Sequence, residues 1–482
     1  MKLKKNFVFL CVVLTLGLFM RLSRIRDFYI FEADQEINSF IVKDIFIDHH
    51  IRLIGQMSSI EGIFLGPLLN YFLSPFYAIF GMDPIGGVVA VTLISLATIA
   101  SIYFVFSEFF DTVTARVATF LYSVSLPIVF IDRWVVPSQG VFLWSIWFIF
   151  ALLSILRGNF KALILIGLLA GVAWNIHPTL VPSLLLVPVA VFLSRKKPHL
   201  REVIISTAIF LISSLPLLAF EARHGFTMLK ALGKLFTSSD PGLPLALKLN
   251  LVVSGFSSVA SRIFFEAHFP TLVNFASLVL VVWFVYARKL MAKNQFSIIV
   301  GWFLLTVAAQ LFSKRAISEY YFNNLIILSL LLFSLTLSYL HKKSNNLLVP
   351  ILLSLVLVFN VYSLFSREEN KFNYLYKKQV VEFIKSDSMA RGYPCIGIDY
   401  IADFGRAVGF RYIFWQKGLV AIKPDSGAPV YKIFIPRDEL PDDVTPQFGK
   451  LGVIRPESVT FNNTSVCTDP INNLDSLWGL TL

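Results

Sequence analysis

The stretch IFEADQEINSF, residues 30–40, places three carboxylates, Glu32, Asp34 and Glu36, within five residues. A carboxylate held beside an attacking hydroxyl can accept its proton, a contribution of roughly 10²- to 10⁴-fold in rate. One such carboxylate is enough to take up a proton, whereas chemistry that pairs an acid with a base needs two. Most acid clusters of this kind are the solvated face of a loop. This one follows directly on an apolar run, in a loop too long to be a mere connector.

Fifty-six per cent of the 482 residues are hydrophobic and only 15% are charged. That balance exceeds what a soluble core needs and marks a polytopic membrane protein. The 47 Phe residues fit lipid-facing and headgroup-level positions. The net charge of +12 comes from short Lys and Arg clusters between apolar runs. Such spacing orients a membrane chain, so a nucleic-acid partner is not expected.

Apolar runs fall at residues 7–22, 86–106, 113–131, 138–156, 161–177 with 179–194, 202–220, 271–287, 296–312, 320–340 and 346–365. At about 20 residues per crossing they predict about 11 transmembrane helices. The basic clusters Lys2/Lys4/Lys5, Arg157/Lys161, Arg195–Arg201, Arg288–Lys293 and Lys342/Lys343 all fall on one side of that threading. By the positive-inside rule this side is cytoplasmic. The N-terminus is then cytoplasmic and the first run a retained anchor. The other side receives a long first outer loop (about 23–85), the 221–270 loop and everything after Ser366.

Within the first outer loop, INSFIVKDIFIDHHIRLI has helical apolar spacing, and GPLLNYFLSPFYAIFG is broken by Pro75 and Gly81. Both read as segments lying at the membrane interface. Residues 1–366 form the transmembrane domain. Residues 367–482 have soluble composition and predict a small extracytoplasmic α/β domain. Its elements read as a helix at 374–386, a strand in CIGIDYI, a helix at 404–415, and strands in VYKIFIP and KLGVIRP. Cys395 and Cys467 share this part and could pair, whereas Cys11 sits in the first span.

The order of these features resembles the GT-C membrane glycosyltransferases, in particular the family-39-like branch that includes protein O-mannosyltransferases and the aminoarabinose transferase of lipid A. EADQE after a first span, GPLLNYFLSPFYAIFG before Asp83-Pro84, the paired short spans at WNIHPT, and SEYYFNNLIIL opening a late span carry the resemblance over about residues 1–340. Many relatives have Asp-Glu where this chain has Asp34-Gln35, so no role passes to the second position.

The resemblance implies a sugar donor on a polyprenyl phosphate, an acceptor lipid, glycan or protein, and Asp34 as catalytic base. The departing phosphate would need cations placed beforehand. Outward-facing candidates are Lys314, Arg315, Arg133, Arg52 and Arg223. Headgroup anchoring or a local pair, such as Arg315 with Glu319, competes for each. Candidates for the cavity wall are Glu36, His177, Glu221, His224, Glu319 and Tyr320. His177 precedes Pro178, a break that frees backbone polar groups and suits a cavity lining.

No Cys or His spacing suggests a zinc cage, and Asp48, His49 and His50 are adjacent rather than on one helix face. No obligatory metal or other cofactor is expected, although a divalent cation is compatible with the chemistry. The expected location is the plasma (cytoplasmic) membrane, among membrane lipids. The alternative function is a transporter or flippase of a lipid-linked sugar. Ionisable groups near the bilayer midplane would favour it, and the apolar runs carry almost none. A non-catalytic receptor would leave the elaborate first loop unexplained.

Overall fold

The computed structural model describes residues 2–237, 242–264, 270–313, 317–343, 347–403, 405–436, 444, 446–457, 461 and 463–480. Among them, six helices are long and apolar enough to cross a bilayer: Lys5–Leu22, Ile85–Phe109, Pro137–Leu156, Lys293–Phe312, Glu319–Lys343 and Leu348–Ser366. Two further pairs are bent, Thr112–Val124 with Leu126–Asp132 by 67° and Leu200–Ser213 with Leu215–Arg223 by 61°. Each second half carries a proline in its first turn. Proline cannot donate the bond that would continue the preceding helix, so the chain turns there. Five shorter apolar helices complete the set.

The eleven runs legible in the sequence are therefore built as full helices, bent pairs and shorter pieces, and the bundle is an integral membrane fold. One apolar helix, Leu245–Ser261, falls inside the segment expected to be an outer loop. Its Lys248 and several serines dilute the hydropathy, yet Val252, Val259 and Ala260 are buried against the bundle. Aromatic packing fills the centre: the ring centroid of Trp302 lies 6.1 Å from Trp144 and 5.0 Å from Phe148, edge-on to both. The Trp144 indole nitrogen donates to Leu169 O at 2.7 Å, satisfying its one polar atom.

The two segments read as interfacial form the helices Ala33–Phe46 and Leu68–Ile79, which pack on each other. Between them the chain folds into a tight loop. Gly55 N–H donates to Leu65 O at 2.7 Å, Leu65 N–H to Gln56 O at 2.9 Å, and Met57 bridges Phe64. This loop presents Gln56 and Met57 to the N-terminal end of the Ala33–Phe46 helix.

The C-terminal part carries a five-stranded sheet, β1 (Ile396–Ala402), β2 (Ala421–Ile422), β3 (Val430–Ile435), β4 (Gln447–Phe448) and β5 (Leu451–Ile454), in the order β2-β1-β3-β5-β4. β1 pairs parallel with β2 and β3, and β5 antiparallel with β3 and β4. Alternate residues Tyr431, Ile433 and Ile435 are buried, as a half-covered strand requires. The helix expected at 374–386 runs Tyr374–Ala390. The one expected at 404–415 is confined to Arg411–Gln416, and Phe404 lies outside the described residues. Cys395 and Cys467 form a disulfide that closes 72 residues of chain.

Candidate active site

Asp34 lies in the first turn of the Ala33–Phe46 helix. That turn is fixed locally: Glu32 N–H donates to the Gln35 side-chain oxygen at 3.0 Å, so Gln35 serves the helix start rather than the cavity. One turn on, Asn38 donates to Asp34 O and to Gln56 Oε1, both at 2.7 Å. Asn70 donates to Asn38 Oδ1 at 2.7 Å, and Gln56 Nε2 reaches Asp34 Oδ1 at 3.4 Å. Three amides in series thus orient a single long donor contact onto the carboxylate.

Asp34 opens on a cavity of about 530 Å³ also lined by Gln56, Trp134, Trp174, His177, Tyr320 and Trp478. Water reaches the carboxylate through this cavity, but the surrounding protein removes much of its hydration. That desolvation raises its pKa above the ordinary Asp value, with Glu32 adding to the rise and the Gln56 hydrogen bond opposing it. A base poised above the usual carboxylate range is a stronger proton acceptor once ionised.

The opposite wall is aromatic. The His177 ring lies 5.6 Å from Tyr320 and 5.5 Å from Tyr321, and the two tyrosines are 4.6 Å apart. His177 is extended (φ −165°, ψ 134°) between the Ala162–Ile176 helix and a 3₁₀ turn at Pro178–Leu185. Thr179 N–H donates to its Nδ1 at 3.3 Å, which assigns the ring proton to Nε2. Trp174 is pinned by its indole N–H to Phe64 O at 3.0 Å. Trp478 arrives from the far end of the chain, and its neighbour Gly479 accepts Met57 N–H at 3.1 Å.

Of the residues singled out from the sequence, the structure brings Asp34, His177 and Tyr320 to one cavity and does not bring the other described ones there. Glu36 is fully buried on the other side of the helix. It accepts Gly409 N–H at 2.7 Å and Tyr412 N–H at 3.0 Å, tying the acid-bearing helix to the C-terminal part. Gly409 has φ +84°, and a Cβ there would sit 2.2 Å from Phe31 O, so no larger residue fits this joint. Burial raises the Glu36 pKa against those two hydrogen bonds. Neighbouring Lys377, which donates to Phe31 O and Val408 O, is pushed down to about 8 by burial.

Glu221 accepts the N–H groups of Met228 and Leu229 and so caps the following helix. His224 stacks on Phe220, with ring centroids 4.2 Å apart. Arg223 is exposed and does not line the cavity. Arg52 pairs with Asp44 at 3.0 Å. Arg133 is buried and donates to Met20 O and Ser23 O at 2.6 Å. Lys314 and Arg315 lie outside the described residues. Glu319 pairs at 2.6 Å with Arg262, a cation the sequence reading passed over.

Arg262 lines a second groove of about 490 Å³ with Phe28, Ile30, Phe130, Trp134 and Arg367. Trp134 belongs to both walls, so the groove adjoins the Asp34 cavity. Arg262 also donates to Asn323 Oδ1 at 3.0 Å, which fixes its guanidinium plane. Buried Lys248, by contrast, is committed to the carbonyls of Leu311 and Ser313. Among the described residues no group of three or more His, Cys, Asp or Glu side chains could hold a metal ion.

With this geometry in place, the fold is that of a GT-C membrane glycosyltransferase. Residues 65–220, about a third of the chain, match the family model described as dolichyl-phosphate-mannose-protein mannosyltransferase. The structure is similar to ArnT from Cupriavidus metallidurans bound to undecaprenyl phosphate, with TM-score 0.58 and 12% identity over 93% of this chain and 97% of that one. It is similar to the apo state of the same enzyme, with TM-score 0.58 and 11% identity over 95% and 98%. An oligosaccharyltransferase from Archaeoglobus fulgidus is more distant, at TM-score 0.49 and 12% identity over 89% of this chain and 69% of that one. No curated protein sequence matches the chain.

Proposed function

We propose that this protein is a lipid-linked sugar glycosyltransferase that moves a sugar from a polyprenyl phosphate to an acceptor hydroxyl with inversion at the anomeric carbon. The observation that carries this reading is the adjacency of two compartments. A water-accessible carboxylate, Asp34, faces one. An apolar groove with Arg262 and Arg367 forms the other, and Trp134 stands between them. A greasy chain ending in a phosphate fits the second, and an alcohol beside a base fits the first. The undecaprenyl phosphate in the ArnT structure supports the donor class.

In the reaction, Asp34 accepts the acceptor's hydroxyl proton as its oxygen bonds to the anomeric carbon. The bond from that carbon to the phosphate oxygen breaks, and the phosphate keeps the electron pair. Arg262, already oriented by Asn323, exchanges Glu319 for the phosphate and stabilises the charge it gains. No step requires a metal, because a monophosphate leaving group develops less charge than a diphosphate. In this reading residues 1–366 form the catalytic membrane domain of a plasma-membrane protein with a cytoplasmic N-terminus. Residues 367–482 sit outside the membrane and help choose the lipid, glycan or protein acceptor.

The stereochemistry of the product tests the reading. Purified protein supplied with a panel of undecaprenyl-phosphate sugars of known anomeric configuration should give the opposite configuration in the product and release undecaprenyl phosphate. Retention would demand a second carboxylate as nucleophile and would overturn the single-base scheme. Movement of the intact donor across a bilayer without bond cleavage would favour a flippase.

A further inference from the structure

A larger cavity, about 860 Å³, opens far from Asp34. From His177 at the active-site cavity the chain runs through Pro178–Leu185 and Leu186–Ser194. At about 2.0 and 1.5 Å per residue these carry it about 30 Å, one hydrocarbon thickness. The cavity lies where they end. Its wall is apolar, formed by Val187, Pro188, Val191, Phe192 and Leu193, and its rim holds Arg195, Lys196 and Lys197. Asn294, from the start of the Lys293–Phe312 helix, closes one side by donating to Leu193 O at 3.2 Å.

The rim is shaped as well as charged. Arg195 takes a left-handed conformation (φ 56°) that ends the helix and turns the next two lysines outward. Ser194 Oγ steadies the turn, donating to Val191 O at 2.6 Å and accepting Lys196 N–H at 3.3 Å. The Lys196 ammonium rests against the neighbouring turn, where a Cβ on Gly158 would lie 2.9 Å from Nζ. In that turn Arg157 is neutralised by Glu108 at 2.8 Å. Among the described residues no carboxylate pairs with Arg195, Lys196 or Lys197.

Three exposed, uncompensated cations above an apolar trough between two membrane helices match one kind of occupant, an amphiphile with an anionic head. Basic pockets between transmembrane helices select such lipids over neutral ones, because each nearby cation adds attraction. We propose that this groove binds an anionic phospholipid, with its acyl chains along Val187–Leu193 and its phosphate on Arg195, Lys196 and Lys197. The site is independent of the sugar-transfer chemistry. It would let the lipid composition of the leaflet opposite Asp34 set how firmly the Leu186–Ser194 and Lys293–Phe312 helices hold together.

The test is native mass spectrometry of the full-length protein in detergent, titrated with palmitoyl-oleoyl phosphatidylglycerol or with its phosphatidylcholine counterpart. Phosphatidylglycerol should bind as a discrete one-to-one adduct at least about tenfold tighter than phosphatidylcholine. Each of R195Q, K196Q and K197Q should weaken it by about fivefold, the effect of one surface cation. The triple variant should erase the preference. R288Q/K289Q/K293Q, which removes three other cations, should keep it and so serves as the control for bulk charge. Equal binding of the two lipids, an unaffected triple variant, or an equal loss in the control would overturn the proposal. So would displacement of the lipid by millimolar inorganic phosphate, which would make the site one for a free anion.

Discussion

Asp34 lines the cavity and Asp132 lies two residues before its wall residue Trp134, and the surroundings of the two acids are opposite. Asp132 is fully buried and its Oδ2 meets the Arg21 guanidinium and Ser95, while Oδ1 accepts Tyr122 OH at 3.1 Å. Gln139 adds a bond to Asp132 O at 3.1 Å. Both carboxylate oxygens have partners, and residues from three further elements converge on the pair. Among the described residues Asp34 has one side-chain hydrogen bond, at 3.4 Å, and its other side opens on the cavity. The first arrangement fixes the floor on which Trp134 and Pro137 stand. The second leaves a carboxylate free to take a proton. An ionisable residue in a membrane bundle therefore signals chemistry when it is incompletely satisfied beside a cavity, and architecture when it is not.

The comparison predicts substitution effects of different kinds. Arg21→Met strips Asp132 of its counterion and leaves a buried charge, which should cost about 3–5 kcal/mol of stability. Thermal unfolding in detergent should show the loss, and a variant as stable as the parent would mean that the pair is not structural. Arg262→Gln should leave the fold intact and lower transfer by about 10²-fold, the usual loss for one preorganised donor on developing charge. An unchanged rate would remove Arg262 from the donor phosphate.

Gln56→Ala should act on the pH dependence. Gln56 donates to the ionised carboxylate and lowers its pKa. Without it the acid form of Asp34 gains, so the acid limb of the pH–rate profile should move to higher pH. A limb that stays in place would show that some other group titrates there.

The smallest effect is on stability. A carboxyl whose folded pKa lies above its unfolded value binds more protons folded than unfolded in that interval, so its contribution falls as pH rises through it. At neutral pH ionised Asp34 is therefore a slight burden on the fold, and Asp34→Asn should raise the melting temperature a little. The same change at Asp132 should lower it. Matching signs would erase the distinction between the two acids.

What was legible in the sequence was what local pattern encodes. Apolar run length marked the apolar helices, strand-like runs marked β1, β3 and β5, and the resemblance carried by EADQE after the first span pointed to Asp34. What was not legible depends on partners distant in the chain. Glu36 shares its neighbours' composition, but its partner Gly409 is 373 residues away. Trp478 reaches the cavity only because the tail returns across the sheet, where Lys423 N–H donates to Asn472 O at 2.8 Å. Arg262 carries no local mark in the sequence, because its pairing with Glu319 and its place beside Trp134 arise from helix packing. The bends at Ser125 and Ser214 had a signal in Pro127 and Pro216 that hydropathy alone passes over.

The most direct test of the single-base account is transfer by Asp34→Asn, purified in parallel with the parent and compared at equal amounts of folded protein with an undecaprenyl-phosphate sugar. The account predicts a fall of at least about 10²-fold in product formation, with no loss of thermal stability. Transfer at the parental rate by a folded Asp34→Asn protein would contradict it.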